Sequence, residues 1–372
     1  MRYVLLASMF LTLAACGGSE KASPGHEPDA SVPGGGDAST SIDSGGGPGT
    51  PDANTSPSEC GTCPTGYTCG SANGIPVCRA PSGIPRFSSI YVVLMENTSY
   101  ATLEATTNTP FLHGLGNMFA RSSDYHGVIH PSLANYIALV SGDTYGIGCD
   151  CDPTGGACNG FNCNALIHSC GCGQTASSLA DQIESAGLDW RMYAEGMGTA
   201  CNTTGAGHYA PRHVPFLYFK PLVEDSARCA AHVVDYSHFA GDLASARDFS
   251  FISPDLVHDM HDPFPANASN YANGDTWLAA QMAPILARPE LQPGGHGLLI
   301  IVWDEDDNSG IPAPDDPIPM YLISPLARSG GYKSTVRADH YGMLATIEDG
   351  LGLARLGKAT QATPMVDFFP AQ

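Results

Sequence analysis

The amino-acid sequence predicts an α/β domain over residues 85–372, with a mostly parallel central sheet and helices on both faces. Short runs of β-branched residues alternate there with longer stretches whose apolar residues recur every three or four positions. This alternation is typical of βα units, because parallel strands need long crossover connections. The predicted strands are 90–95, 190–193, 249–253, 298–303 and 320–323, and the predicted helices are 110–121, 132–141, 177–186, 276–287 and 340–351.

Composition and charge narrow the functional classes. The 372 residues include 43 Gly and 29 Pro and only 14% charged residues, unlike a coiled coil or a helical bundle. The longest apolar run, residues 4–13, is shorter than the roughly 20 residues of a membrane-spanning helix, which argues against a polytopic membrane protein. The net charge of −21 repels the phosphate backbone of nucleic acids, so we expect no nucleic-acid partner.

The N-terminus carries an export signal. Arg2 precedes the apolar run, and the run ends in Ala14, Ala15 and Cys16, which is similar to the lipobox of bacterial lipoproteins. We expect residues 1–15 to be removed and Cys16 to be acylated; a plain signal peptide that carries a cysteine is the alternative. Residues 17–59 contain no aromatic residue and predict a disordered Gly/Pro/Ser linker. These features predict an exported lipoprotein, anchored in the membrane at the bacterial cell envelope or surface.

Thirteen cysteines in an exported chain favour disulfide bonds over metal ligands. Four of them lie in a small segment at 60–80, where we expect two disulfides, and a zinc site is the alternative because Cys60 and Cys63 form a Cys-x-x-Cys pair. Six more crowd a Gly- and Asn-rich insertion at 149–172, whose pairing the sequence leaves open. Cys201 and Cys229 remain.

Polar residues follow three of the predicted strands. The first strand runs into Glu96 and Asn97, the third into the segment 254–262, and the fourth into the acidic run 304–307. Because ligands of open α/β sheets bind beyond the carboxyl ends of the strands, we expect these clusters to converge. Carboxylate and amide oxygens are hard ligands, so together the clusters predict a divalent cation, although any one of them alone is equally typical of a turn.

Ser132 directly follows Pro131 and begins the predicted helix 132–141. Free N–H groups and the helix dipole make a helix N-terminus favourable for phosphate. A serine hydroxyl at that place, beside a divalent cation, could lose its proton and attack phosphorus. Helix capping is the alternative role for Ser132.

Six motifs follow one another along the chain. They are Val93-Leu94-Met95-Glu96-Asn97, His130-Pro131-Ser132-Leu133-Ala134-Asn135-Tyr136, His213-Val214-Pro215-Phe216, Asp259-Met260-His261-Asp262, Trp303-Asp304-Glu305-Asp306-Asp307 and His340-Tyr341. Together these motifs resemble the bacterial phosphoesterase family, which contains acid phosphatases and phospholipases C and belongs to the alkaline phosphatase superfamily. The resemblance runs from about residue 88 to residue 357, in the order of the family's motifs, and it implies an alkaline-phosphatase-like fold.

The resemblance also implies a role for each matching residue. The implied cation ligands are Glu96, Asn97, Asp304 and Glu305, the implied nucleophile is Ser132, the implied phosphate-pocket or proton-donating residues are His130, His213 and His261, and the implied substrate contacts are Asn135, Asp259 and His340. Ala134 and His258 depart from the family pattern, which usually has Pro and Asn at these positions. The Cys-rich insertion follows the nucleophile helix and is a candidate wall or lid of the site.

The expected function is metal-dependent hydrolysis of phosphomonoesters, as in acid phosphatases, and the expected partners are a phosphate ester and the membrane that holds the lipid anchor. A phospholipase C that acts on a lipid diester is the alternative within enzymes. A surface binding protein that keeps the fold without turnover is the alternative from another class. The presence of Ser132 and of all four implied cation ligands favours catalysis.

Overall fold

A computed structural model describes residues 59–153, 173–245, 247–307 and 316–370. The predicted signal peptide, Cys16, nearly all of the linker and most of the Cys-rich insertion lie outside these residues. The described residues belong to one compact unit. Within the described ranges, no helix is long and apolar enough to cross a membrane.

The described chain begins with a small disulfide-bonded hairpin. Strands β1 (Thr68–Ala72) and β2 (Ile75–Arg79) pair in antiparallel fashion around an Asn-Gly turn at 73–74, a dipeptide that favours tight hairpin turns. Cys60 is bonded to Cys69 and Cys63 to Cys78, which confirms the two disulfides expected in this segment. A short segment with little apolar core needs such covalent links.

The rest of the chain folds around a nine-stranded sheet. Its strands are β3 (Ser89–Met95), β4 (Ala120–His126), β5 (Trp190–Ala194), β6 (Val233–Asp235), β7 (Phe249–Ser253), β8 (Gly297–Trp303), β9 (Ile318–Ile323), β10 (Lys333–Ser334) and β11 (Ala338–Asp339). They lie in the order β10-β4-β9-β8-β3-β7-β5-β6, and β11 also pairs with β4. All pairs are parallel except those that β9 makes with β4 and β8, so the mostly parallel sheet is confirmed.

Helices cover the sheet. They are α1 (Tyr100–Ala105), α2 (Pro110–Met118), α3 (Ser132–Ser141), α4 (Leu179–Ser185), α5 (Lys220–Val223), α6 (Ser226–His232), α7 (Phe239–Asp242), α8 (Asn270–Leu286) and α9 (His340–Leu351). Every residue of β3 and β8 is buried. Because successive side chains of a strand point to opposite faces, both faces of the central sheet are covered, as predicted.

Two boundaries differ from the prediction by three residues or more. Helix α2 ends at Met118, and β4 occupies the end of the stretch predicted as helix 110–121. The sequence of β4 is mostly polar, so it lacks the apolar run by which the other strands were found. Helix α8 begins at Asn270 rather than at 276, because the side chain of Ser269 caps it by accepting a hydrogen bond from the Ala272 N–H.

Several hydrogen bonds link the N-terminal part of the domain to the C-terminal end of α9. The Tyr67 hydroxyl donates a hydrogen bond to the Asp349 carbonyl. The Arg86 guanidinium donates to the Leu351 carbonyl at 2.8 Å. A third disulfide joins Cys201 to Cys229.

Candidate active site

The candidate active site lies at the carboxyl ends of the central strands. The last residues of β3 and β8, Met95 and Trp303, are register partners in adjacent parallel strands. The segments that follow, 96–97 and 304–305, therefore emerge side by side, and the Asp304 N–H donates to the Met95 carbonyl at 3.1 Å. The convergence expected from the sequence is observed for these two clusters.

The Ser132 hydroxyl lies among the predicted cation ligands. Ser132 is the first residue of α3, and its Oγ is 3.0 Å from Glu96 Oε2, 3.3 Å from Asn97 Oδ1 and 3.4 Å from Glu305 Oε1. All three neighbours are acceptors, whereas a hydroxyl has one proton to donate. A position surrounded by oxygen acceptors favours a cation nearby, and such a cation would lower the pKa of the serine hydroxyl.

Asn97 ties the two strand ends together. Its φ of +26° lies in the left-handed region, which is rare for residues other than glycine but is tolerated best by asparagine and aspartate. In this conformation the Asn97 N–H donates to Asp304 Oδ1 at 3.0 Å, and its Nδ2 donates to Glu305 Oε1 at 3.0 Å. One residue thus orients two of the predicted carboxylate ligands.

The chemistry of this group of oxygens fits a divalent cation. Glu96, Asp304 and Glu305 are only 1%, 0% and 2% exposed. Burial, strengthened by the neighbouring carboxylates, raises the pKa of all three well above the ordinary range. Glu96 Oε1 and Asp304 Oδ2 have no hydrogen-bond partner among the described residues. A buried carboxylate whose oxygen has no partner is unfavourable without a compensating positive charge, and a divalent cation would supply that charge.

A second group of possible metal-ligand atoms lies outside the predicted cation site, and its atoms are more closely spaced than those of the predicted ligands. In the described ranges, the carboxylate and imidazole atoms that all lie within 4.8 Å of one another belong to Glu195, Asp255 and His258, not to the predicted ligands. The predicted ligands instead surround the Ser132 hydroxyl. In the closer cluster, His258 Nδ1 lies 2.9 Å from Glu195 Oε2 and 3.1 Å from Asp255 Oδ1, which is the geometry of an ion pair. Although burial opposes it, hydrogen bonding to these carboxylates raises the pKa of His258 to about 9.

Asn135 is buried, and other protein groups occupy all the donor and acceptor positions of its side-chain amide. Its Oδ1 accepts from the Val128 N–H at 2.8 Å and the Ile129 N–H at 3.3 Å. Its Nδ2 donates to Glu305 Oε2 at 2.9 Å and to the Ile129 carbonyl. An amide offers two donors and two acceptor positions, so the expected contact with phosphoryl oxygens is not available in this arrangement. Asn135 instead holds Glu305 against the loop that precedes Ser132.

His340 lies beneath the site and is fully buried, in place of the substrate-facing position expected from the sequence. Its Nε2 donates to the Asp304 carbonyl at 2.6 Å, and its Nδ1 accepts from the Tyr125 hydroxyl at 3.0 Å. Burial lowers the pKa of His340 to about 4, consistent with this neutral ring. Gly127 packs against the same carbonyl, and a Cβ there would lie 2.7 Å from the carbonyl oxygen. His340 therefore supports the acidic loop from below.

His130 lies at the edge of the acidic group. Its Nδ1 is 3.1 Å from Glu305 Oε1, and its Nε2 is 3.5 Å from Asp306 Oδ1. Its side chain keeps 13% of its surface exposed, and burial lowers its pKa. Asp306 is a site residue that we did not single out from the sequence, although it belongs to the acidic run after the fourth predicted strand.

His213 lies on the inner side of the site. Its Nε2 is 3.2 Å from Glu96 Oε1 and its Nδ1 is 4.0 Å from Asp259 Oδ2, but neither contact is aligned as a hydrogen bond. Its ring stacks on Tyr136, with ring centres 5.3 Å apart and planes 9° from parallel. Burial lowers the pKa of His213 well below its usual value. Among the described residues, neither ring nitrogen of His213 has a hydrogen-bond partner.

Asp259 and His261 lie in a turn next to His213, and the backbone of this turn is strained at Met260. Burial raises the pKa of Asp259 to about 7, and its Oδ1 accepts from the His261 N–H at 3.0 Å. Met260 between them has a φ of +78°, which is costly for a long side chain and is typical of functional sites. The His261 ring points outward, with 41% of its side chain exposed, and lies 3.1 Å from Asp262. His261 thus contacts the site through its backbone.

Asp150 and Arg212 also border the site and were not predicted. Asp150 Oδ1 accepts from the N–H of Leu133, the residue after Ser132, at 3.1 Å. Its Oδ2 lies 3.9 Å from Arg212 Nε, and Arg212 directly precedes His213. Asp150 belongs to the Cys-rich insertion, where no sequence pattern identifies it as a site residue. Arg212 could have been identified from its neighbour, because His213 was already a predicted site residue.

The chain is similar to several known proteins. A family model described as the phosphoesterase family matches residues 95–354. Phosphatidylinositol-3-phosphatase of Mycobacterium tuberculosis is 29% identical over 294 residues, which cover 78% of this chain and 85% of that protein. An acid phosphatase of Aspergillus fumigatus is 25% identical over 73% of this chain and 56% of its own length, so this chain spans little more than half of that enzyme. A solved Vibrio parahaemolyticus protein of the alkaline phosphatase superfamily is 12% identical, with a TM-score of 0.49 and coverage of 82% of this chain and 75% of that one.

Proposed function

This chain belongs to the phosphoesterase family, and on that premise we propose that it hydrolyses phosphomonoesters with Ser132 as the nucleophile. It is a phosphoric ester hydrolase, and its relatives are named phosphatases. One observation carries the finer proposal: Ser132 Oγ lies at the N-terminus of α3, 3.0 to 3.4 Å from three oxygens of the predicted cation ligands. A helix N-terminus favours a phosphoryl group, and the oxygen neighbours can activate the hydroxyl.

We assign the cation to Glu96, Asn97, Asp304 and Glu305. The support is the burial of their hard oxygen atoms and the absence of a partner for two of these oxygens among the described residues. When bound, the cation would lower the pKa of the Ser132 hydroxyl and neutralise charge on the phosphoryl oxygens.

In the proposed reaction, the Ser132 hydroxyl gives its proton to Glu96 Oε2, the acceptor 3.0 Å away, and Oγ attacks phosphorus in line with the leaving alcohol. The ester P–O bond breaks as the Oγ–P bond forms, and the dipole of α3 favours the negative charge of the phosphoryl group. The departing alkoxide takes a proton from His130, which lies on the more open side of the site. Water then gives a proton to His130 as it attacks the phosphoserine, and the Oγ–P bond breaks. Phosphate leaves, and Ser132 Oγ recovers its proton from Glu96.

The remaining histidines and amides position this machinery. His213 flanks Glu96, and Asp259 is placed to orient the His213 ring. Asn135 holds Glu305, and His340 holds the backbone of Asp304, so we propose supporting roles for both residues.

The test is Ser132→Ala, with Ser141→Ala as the matched control. Ser141 is a buried serine at the other end of α3, where it donates to the Ile137 carbonyl. We expect Ser132→Ala to lower kcat on a phosphomonoester by about a thousandfold or more, because the covalent route is lost, while the Ser141 variant keeps its activity. Wild-type enzyme quenched in acid during turnover should carry phosphate on the peptide that contains Ser132.

Three results would contradict the proposal. A Ser132→Ala enzyme within a few-fold of the wild-type kcat would exclude the serine nucleophile. A higher kcat/KM on a phosphodiester than on the matching monoester would favour a phospholipase C. A correctly folded wild type that hydrolyses no phosphate ester would favour a binding protein.

We further propose that the enzyme is exported and held at the membrane through acylated Cys16. The lipobox-like residues 13–16 support the anchor. The disulfides in the described chain support an oxidising compartment, because the bacterial cytosol keeps thiols reduced.

A further inference from the structure

The ion-pair cluster of Glu195, Asp255 and His258 has no part in the reaction proposed above, but it lies beside the candidate active site. Glu195 directly follows β5, and Asp255 and His258 follow β7, the strand that pairs with β5 in parallel. The cluster therefore lies at the same edge of the sheet as the site. Two of its residues belong to the turn 255–261, which also carries Asp259.

Glu195 fixes the start of this turn. Its N–H donates to the Ser253 carbonyl at 3.0 Å, so its backbone is tied to the end of β7. Its Oε2 accepts from the Asp255 N–H at 3.1 Å and lies 2.9 Å from His258 Nδ1. Its Oε1 accepts from the indole N–H of Trp277 in α8 at 3.0 Å. One carboxylate thus joins β5, the turn and α8.

Asp255 and His258 hold the middle of the turn. Asp255 Oδ1 accepts from the Val257 N–H at 3.0 Å and lies 3.1 Å from His258 Nδ1. The Asp255 carbonyl accepts from the N–H groups of His258 and Asp259, each at 3.0 Å. Two carboxylates this close repel each other unless a positive charge lies between them. The His258 imidazolium supplies that charge.

The turn carries this geometry into the site. The Asp259 carbonyl accepts from the Glu96 N–H at 2.8 Å, and Asp259 Oδ2 lies 4.0 Å from His213 Nδ1. The φ of +78° at Met260 persists only where the surrounding structure enforces it. Because His258 directly precedes Asp259, a loosened cluster would shift the backbone that holds Glu96.

We propose that Glu195, Asp255 and His258 form a positioning group that fixes the turn 255–261 and thereby holds Glu96 and His213 in place. The inference rests on the proposed function, in which Glu96 takes the proton of Ser132. His258 stands where the family usually has Asn, and it acts through Asp259 rather than on the substrate.

The test is His258→Asn, because the asparagine amide can donate in place of Nδ1 while the positive charge is lost. At pH 7 we expect kcat on phenyl phosphate to fall about tenfold with KM within about twofold of wild type, since the group positions a proton acceptor and not the substrate. Exchange of the Glu96 amide hydrogen, followed by mass spectrometry, should become about tenfold faster. Adding Asp255→Asn returns the cluster to the net charge of the wild type and should recover most of the lost kcat.

Arg228→Gln is the matched control. Arg228 also lies between two carboxylates, 2.8 Å from Asp181 and 3.0 Å from Glu184, but this group joins α4 to α6 and none of its residues borders the site. The variant loses a comparable ion pair. It should keep the wild-type kcat and the wild-type exchange of the Glu96 amide.

Wild-type kcat and Glu96 exchange in His258→Asn would overturn the proposal. So would an equal loss in Arg228→Gln, or a double variant that is less active than His258→Asn alone. Should His258→Asn not fold, Glu195→Gln takes its place, and wild-type values in that variant overturn the proposal as well. A wild type that hydrolyses no phosphate ester contradicts the proposed function instead, and exchange of the Glu96 amide then still decides whether the cluster holds Glu96.

Discussion

Glu348 is a buried carboxyl group, and its ionisation should reduce the free energy of unfolding. It lies in α9 with no exposed surface, and its Oε1 accepts from the Leu356 N–H at 2.7 Å. Its Oε2 has no hydrogen-bond partner among the described residues, and neither has Oε1 of the adjacent Gln182. Burial raises the pKa of Glu348 from 4.5 to about 8.

The shifted pKa sets the size and the sign of the effect. At pH 7 the unfolded carboxyl is ionised and the folded one is mostly protonated, so folding takes up a proton. The cost is about 3 kcal/mol, since pH 7 lies about 2.5 units above the unfolded pKa and each unit is worth about 1.4 kcal/mol. Because the folded pKa is raised, this stability is complete below pH 4.5 and is lost as the pH rises to about 8.

Glu348→Gln should therefore stabilise the protein, and more so at higher pH. Glutamine keeps the acceptor for the Leu356 N–H and needs no proton. Thermal unfolding followed by circular dichroism should give a Tm difference near zero at pH 5 and about 5 °C or more at pH 8. Glu224→Gln, which removes an exposed charge, is the control. A variant that is no more stable than wild type at pH 8, or equally favoured at pH 5, would refute the reasoning.

Three further changes test the cation site, the ion-pair cluster and the anchor. Asp304→Asn should weaken divalent-cation binding about ten- to a hundredfold in titration calorimetry, because a charged ligand becomes neutral; an unchanged affinity would contradict the site. His258→Asn should reduce the free energy of unfolding in urea by about 2 kcal/mol at pH 6, after allowance for partial exposure, and by little above pH 9, because the raised pKa of His258 makes its contribution complete below 6.5 and lost through about 9. Equal losses at both pH values would count against the ion pair. Cys16→Ala should move the enzyme from the membrane to the soluble fraction with unchanged specific activity, and retention in the membrane would disprove the lipid anchor.

The sequence predicts best those strands that consist of a continuous run of apolar residues, because such runs indicate burial on both faces of a sheet. Strands β3, β7 and β8 are buried throughout, and their predicted spans agree with the observed ones to within one residue. Their neighbouring positions then bring Glu96 beside Asp304, because parallel strands end at the same edge. Strand β4 was missed because its polar sequence carries no such run.

Side-chain roles were harder to predict than positions. A sequence does not reveal which hydrogen bonds a buried group has already made, so Asn135 and His340 were expected to face substrate, although the protein satisfies both. Asp150 is brought to Leu133 by the course of the insertion, a tertiary effect that no local pattern encodes.

Helix α9 runs from the candidate active site to the N-terminal part of the described chain. His340 at the start of α9 touches the acidic loop, whereas Asp349 and Leu351 at its end contact the N-terminal part of the described chain. Twelve residues of helix span about 18 Å, at about 1.5 Å per residue. The N-terminal part of the described chain therefore joins the domain at the end of α9 that is remote from the acidic loop. If Cys16 is acylated as we propose, the linker would reach the domain away from Ser132, so the anchor would leave the candidate active site open to substrate.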